Sequence, residues 1–178
     1  MKSVSFVFAL GLAGAIACAA GASPPDRNLH ELMKQVVAVQ TQVIWDIGNR
    51  ALNDAGNPDP SKIKDADWKK IATTGGSLKD AANALADAKQ IVAAAPGQKI
   101  ADEQNPGSLN AKGVQKAIDA NPQLFRAMAR QLAVSMDQIV QSTRTRDAAK
   151  FLDVSGRLDQ VCEQCHVQFW YPEQKAAR

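Results

Sequence analysis

The sequence predicts an all-α fold, an antiparallel four-helix bundle. Apolar residues recur every three or four positions in four stretches, and no stretch sustains the polar and apolar alternation that a half-buried strand requires. The connections between these stretches are mostly short, which favours antiparallel neighbours. A chain of 178 residues is sized for one domain with one core.

The first predicted helix extends from about Asp26 to Asn53. Asp26 is the expected N-cap because it follows two prolines, and residues 53–60 are of the types that form turns. The expected core-facing residues are Leu29, Met33, Val36, Gln40, Val43 and Ile47.

The second predicted helix extends from about Asp65 to Ala94. Its expected core-facing residues are Ile71, Thr74, Leu78, Ala81, Leu85, Ala88 and Val92. Gly75 and Gly76 interrupt the pattern, and a glycine inside a helix costs about 1 kcal/mol relative to alanine. The pair therefore indicates a local break or a close approach of another backbone or a flat cofactor, and we favour a break or close packing.

The third helix follows a loop over residues 96–110 and a short helix over Ala111–Ala120. Asn121 stands where an N-cap belongs, and Pro122 occupies the first helical position. The expected core-facing residues are Phe125, Met128, Leu132, Met136 and Ile139.

The fourth helix is predicted to begin near Thr145 or Asp147 and to end before Pro172. Its apolar face carries two cysteines, in the series Phe151, Ser155, Leu158, Cys162, Cys165 and Phe169.

Residues 1–22 resemble a secretory signal peptide. Lys2 precedes an apolar stretch from Val4 to Ala20, and small residues follow. This stretch is too short and too weakly flanked to predict a membrane span. We therefore expect export to the periplasm, with residues 23–178 as the mature domain.

Two processing routes remain open for this segment. Cleavage after Ala20-Gly21-Ala22 releases a soluble protein, whereas Ala15-Ile16-Ala17-Cys18 resembles a bacterial lipobox. In the second case the protein is a lipoprotein held at the membrane through Cys18.

The charge balance excludes one class of partner. The chain has 21 basic and 18 acidic residues, and removal of residues 1–22 takes away only Lys2. A nearly neutral domain without a block of Lys or Arg lacks the basic face that nucleic acid binding requires. Smaller charged patches remain available to steer a redox partner protein.

The two cysteines of the mature domain, Cys162 and Cys165, form a C-x-x-C-H motif with His166. A disulfide across so short a loop contributes little stability. On a helix the two thiols and the imidazole are neighbours, so the thiols can bond both vinyl groups of one haem while His166 ligates its iron. The motif therefore predicts one covalently bound haem c.

Two other chemistries use the same residues. A thioredoxin-like redox pair expects the cysteines at the start of a helix within a βαβ pattern, which this sequence lacks. A zinc site from Cys162, Cys165, His166 and His30 needs adjacent Cys165 and His166 to converge on one metal, which is awkward on a regular helix.

The segment from Asp147 to Phe169, which ends in Val-Cys162-Glu-Gln-Cys165-His166-Val-Gln-Phe, resembles the last helix of the cytochrome c′ family, the class II c-type cytochromes. Most c-type cytochromes carry this motif near the N-terminus, whereas here it closes the fourth helix. The resemblance covers the mature chain in helix order and is strongest in this last helix.

The resemblance implies a haem inside the bundle with a residue of the first helix facing the iron opposite His166. Met33, in Leu32-Met33-Lys34, is the expected sixth ligand, as in low-spin members. Methionine is also a common core residue, and His30 is a further candidate that we expect to be solvated. Members without a ligating side chain have five-coordinate iron and bind nitric oxide or carbon monoxide.

The chain departs from the family at Trp170, where members usually carry an arginine. We interpret Trp170 as a residue that packs against the helix end. No distal acid–base pair can be named from the sequence, so an enzyme such as a peroxidase is not expected. The expected function is electron transport between redox partner proteins, by a monomer or a homodimer, as family members often dimerise.

Overall fold

A computed structural model describes residues 28–173. Their regular structure is helical, without a strand in that range apart from an isolated bridge between Leu52 and Pro58, which confirms the all-α prediction. The signal peptide, Cys18 and the Asp26 cap lie outside these residues. No helix within residues 28–173 combines the length and apolarity needed to cross a bilayer.

The first helical stretch consists of α1 (Leu29–Leu32), a π-helical turn (Met33–Val37) and α2 (Ala38–Arg50). Its N-cap is Asn28, two residues after the predicted Asp26, and the Asn28 side chain accepts a hydrogen bond from the Glu31 N–H at 3.0 Å.

The buried side of this stretch differs from the predicted one. The π-helical turn holds more residues than an α-helical turn, so the step between buried residues lengthens to five from Leu32 to Val37. Ile47 is buried as predicted. The remaining predicted residues are only partly buried: Leu29, Met33, Val36, Gln40 and Val43. The buried residues of the stretch are Leu32, Val37, Thr41, Ile44, Ile47 and Gly48.

Helix α3 (Asp65–Asp87) ends seven residues before the predicted Ala94. The chain leaves the helix at Ala88, and the carbonyls of Val92 and Ala93 accept hydrogen bonds from the N–H groups of Leu29 and His30 at 2.7 and 2.9 Å. These donors open α1 and have no partner within their own helix. The chain therefore forms these two hydrogen bonds to α1 instead of continuing α3 to Ala94.

The glycine pair lies inside an unbroken α3, so the prediction of close packing is confirmed and that of a break is wrong. A Cβ atom on Gly75 would lie 3.1 Å from Val140 Cγ2 and 3.4 Å from Ile139 Cγ2, whereas one on Gly76 would meet nothing within 4 Å. Gly75 thus lets two helices approach closely.

Three further helices are α4 (Ala111–Ala120), α5 (Pro122–Thr145) and α6 (Ala148–Phe169), with bounds close to the predictions. Asn121 occupies the cap position of α5 without a side-chain hydrogen bond, and Pro122 follows as the first helical residue. The Asp147 carboxylate caps α6 by accepting a hydrogen bond from the Lys150 N–H at 2.9 Å.

The long helices share one core. Ion pairs join Arg50 near the end of α2 to Asp67 at the start of α3, and Arg130 of α5 to Asp87 at the end of α3. Near the start of α5, Phe125 contacts Phe169 at the end of α6, with ring centroids 5.3 Å apart. Fully buried residues from four helices meet between them: Ile44, Ile71, Leu78, Met136, Ile139, Phe151 and Leu158.

Candidate functional site

Helix α6 carries the two thiols and the imidazole that the sequence singles out. Cys162, Cys165 and His166 lie within about one turn, and all three are partly buried. Neither cysteine forms a disulfide. The spacing predicted from the motif is therefore present on a regular helix.

The burial of α6 is interrupted at these residues. Its first half buries Phe151, Val154, Ser155 and Leu158 to 4% exposure or less, and Phe169 near its end is 3% exposed. The residues between them on the same side are only partly buried: Val161, Cys162, Cys165 and His166. The described residues thus leave this segment of the apolar face incompletely covered.

Both thiols are held in the protonated form. Burial raises the pKa of Cys162 to about 11, with a smaller contribution from the charge of Asp159. Burial raises the pKa of Cys165 to about 12, with Cys162 as the second cause. A redox-active pair requires the opposite shift. The pKa directions and the interior position on α6 argue against the thioredoxin-like hypothesis.

A zinc site would require a cluster of metal-ligating side chains, and the part of the chain that the structure describes contains none. Within residues 28–173 no group of three or more His, Cys, Asp and Glu side chains is placed to hold a metal ion. His30, the proposed fourth zinc ligand, lies in α1 and is partly buried.

The imidazole of His166 lies among aromatic rings. Its centroid is 5.1 Å from that of Trp170, with the rings nearly perpendicular at 88°, and 6.0 Å from that of Tyr171. The Tyr171 hydroxyl donates a hydrogen bond to Glu163 Oε2 at 2.7 Å. Burial lowers the pKa of His166, while the charges of Glu163 and Asp159 oppose this shift. The lowered pKa favours the neutral ring, which is the form that ligates metals.

The end of α6 is fastened by backbone hydrogen bonds. The N–H groups of Trp170 and Tyr171 both donate to the His166 carbonyl, at 2.7 and 3.0 Å, and the Leu109 N–H donates to the Trp170 carbonyl at 2.7 Å. The indole also packs against the core. The interpretation of Trp170 as a packing residue at the helix end agrees with these contacts.

Sequence reasoning missed two buried polar atoms. Trp170 Nε1 and Thr41 Oγ1 are inaccessible to solvent and have no hydrogen-bond partner. Such atoms usually find a partner, because an unsatisfied buried polar group costs about 1–3 kcal/mol. A threonine among the apolar residues of α2 was a visible signal for Thr41. Nothing in the sequence distinguishes the Trp170 nitrogen, because its burial depends on the folded chain.

The remaining predicted site residue, Met33, lies on the first helical stretch and not on α6. It is the first residue of the π-helical turn and packs, partly buried, against the core. π-helical turns frequently occur at functional sites. Of the other core methionines, Met136 is fully buried on α5 and Met128 is partly buried there.

No protein-family model matches the chain, and no curated protein or solved structure shows significant similarity to it.

Proposed function

We propose that this chain is a c-type cytochrome of the cytochrome c′ type that carries electrons in the periplasm through one covalently bound haem. The observation that carries this proposal is the interruption in α6, where two unpaired thiols and an imidazole occupy the incompletely covered part of an otherwise buried face. These residues fit the cofactor chemically.

In this proposal Cys162 and Cys165 each form a thioether. The sulfur bonds to one carbon of a vinyl group and the thiol proton goes to the other, so the addition needs no oxidant. His166 would ligate the iron through an imidazole nitrogen. Bound haem supplies one-electron chemistry, while the chain holds the group, excludes water from it and presents a docking surface to redox partners.

The proposed arrangement is an antiparallel four-helix bundle. Support comes from contacts that join the end of one helix to the start of another, as for Arg50 with Asp67 and Phe125 with Phe169. A Cβ atom on Gly48 of α2 would lie 3.2 Å from Ser155 Oγ of α6. Gly48 and Ser155 therefore lie at the same level along the axes of these two helices.

Met33 is the proposed sixth iron ligand. It lies about four turns before Gly48, and His166 lies about three turns after Ser155. If α2 and α6 are antiparallel, the two residues stand within about one turn of the same height on facing helices. A thioether ligand favours reduced iron and raises the reduction potential, as suits electron transfer.

Optical spectra of the haem-containing protein in both oxidation states test this ligation. We expect a low-spin ferric spectrum with the long-wavelength methionine–iron band and no binding of carbon monoxide by the reduced protein. Met33→Ala should lose the band and bind carbon monoxide, whereas Met128→Ala, which truncates a partly buried methionine of α5, should behave like the wild type.

A high-spin ferric wild type that binds carbon monoxide or nitric oxide would overturn the Met33 assignment. It would favour the five-coordinate gas-binding protein as the function of the same haem site.

A further inference from the structure

The strongest unexplained group near the proposed haem is the indole nitrogen of Trp170. We infer that Trp170 Nε1–H is the hydrogen-bond donor for a carboxylate group of the haem. This inference rests on the proposed function and assigns to the cofactor a contact beyond the thioethers and the axial ligand.

The first observation is an unpaired donor in a fixed position. Trp170 Nε1 is buried and has no acceptor. Its backbone is held from both sides, since its N–H donates to the His166 carbonyl and its carbonyl accepts from Leu109. The indole also packs on the core. A donor held in this way is suited to a ligand acceptor, because the side chain loses little further conformational entropy when the ligand binds.

The second observation is its place along α6. Cys162 lies one turn before His166 and Trp170 one turn after it, so the indole lies on the side of the imidazole remote from Cys162. The carboxylates of haem occupy the porphyrin edge opposite the two vinyl groups. A chain bonded through Cys162 and Cys165 therefore needs its carboxylate partners on the side where Trp170 lies.

The third observation is the local charge. The charges that act on the His166 ring come from Glu163 and Asp159, both of them carboxylates. These charges repel an anionic group brought beside them, so its placement there requires a compensating donor, and a hydrogen bond to an anion is stronger than one between neutral groups. The indole N–H is a donor only, and it cannot itself lose a proton in the physiological range.

Indole proton exchange, measured by NMR on the chain with and without covalently bound haem, tests the inference. Exchange of the Trp170 Nε1 proton with solvent should slow at least about tenfold when haem is attached, and its resonance should shift downfield. Trp68 is the internal reference, because it packs on Phe151 in the other half of α6 and should change much less.

A second readout uses Trp170→Phe, which keeps an aromatic ring and removes the donor. Without the N–H, the haem carboxylate binds its proton more tightly. The reduction potential changes as this carboxylate titrates, and that change should therefore occur at higher pH, at a proton concentration about tenfold lower than in the wild type. Tyr171→Phe removes the neighbouring hydroxyl and should leave this step in place.

The outcomes separate the inference from the proposed function. A chain that carries no covalent haem contradicts both. A haem-containing protein in which Trp170 exchanges as fast as in the haem-free chain, or in which Trp170→Phe leaves the potential step unmoved, contradicts the inference alone.

Discussion

The two halves of α6 differ although the same helical pattern runs through both. Val154 and Val161 are one heptad apart, yet Val154 is 4% exposed and Val161 is only partly buried. Helix α6 packs against α2 and α5, and its first half leaves Phe151 and Leu158 with no exposure. The second half carries unpaired thiols and is followed by an unsatisfied indole nitrogen.

The chain therefore completes its packing along the first half of α6 and at Phe169, but not over the residues between them. Val161 and the two cysteines have apolar surface that the described residues do not cover. A flat apolar cofactor bonded to Cys162 and Cys165 would cover it. Bound haem should therefore change the energetics of the second half and leave the first half unaltered.

The largest expected effect concerns the thiols. Replacing both Cys162 and Cys165 by alanine should abolish covalent haem in a host that matures c-type cytochromes, because no other thiol of the mature domain can form the thioethers. Gln164→Ala, between the two cysteines on an exposed position, is the control and should retain a full haem. Mass spectrometry of the purified chains measures the covalent haem on each variant. Covalent haem on the double variant would show that Cys162 and Cys165 are not the attachment residues.

Thiol alkylation gives the next largest effect. At pH 8 the haem-free chain from Ser23 onward should react with iodoacetamide about a hundredfold more slowly when native than in urea, because burial raises the pKa of Cys162 from its ordinary value of 9.0 to about 11. The native rate should rise with pH up to about 11. Equal rates in the native and unfolded chains would show that the second half of α6 is open to solvent.

A matched pair of valine truncations compares the halves directly. In the haem-free chain Val154→Ala should lower the free energy of unfolding by about 2 kcal/mol, since it removes buried methyl groups and leaves a cavity, and Val161→Ala by about 1 kcal/mol or less. Covalent haem should bring the cost of Val161→Ala close to that of Val154→Ala. Urea denaturation of both forms measures this, and equal costs without haem would contradict the difference in packing.

The smallest effects test how complete the packing is elsewhere. Gly75→Leu should cost about 1–3 kcal/mol by overpacking α3 against Val140, whereas Gly76→Ala should stabilise the fold by about 0.5–1 kcal/mol, since its new methyl group meets nothing. Thermal and urea denaturation distinguish the two. A Gly75→Leu variant as stable as the wild type would mean that α3 and α5 are less tightly packed than the structure indicates.

Sequence reasoning predicted the later helices well because their boundaries are set by local chemistry. The capping carboxylate of Asp147 and the proline at position 122 act within one turn of the residues that reveal them. The limits of the first helical stretch and of α3 depend on contacts distant in sequence. The extra residue of the π-helical turn and the pairing of Leu29 with Val92 leave no local signature.

The candidate site likewise contains some residues that local sequence identifies and others that depend on contacts distant in sequence. The motif formed by Cys162, Cys165 and His166 can be read directly, since its spacing and its helix are both local. The hypothesis for Met33 needed a resemblance, because its height relative to His166 depends on how two helices far apart in sequence pack. The unpaired nitrogen of Trp170 became visible only with the burial of each atom in the folded chain.

Covalent haem attachment is tested by the mass of the exported chain, purified from a host that matures c-type cytochromes, together with its reduced pyridine spectrum. We predict a gain of one haem that survives denaturation and a spectrum typical of a haem with two thioether bonds. A mature chain with two titratable thiols at Cys162 and Cys165 and no bound haem would contradict the proposed function.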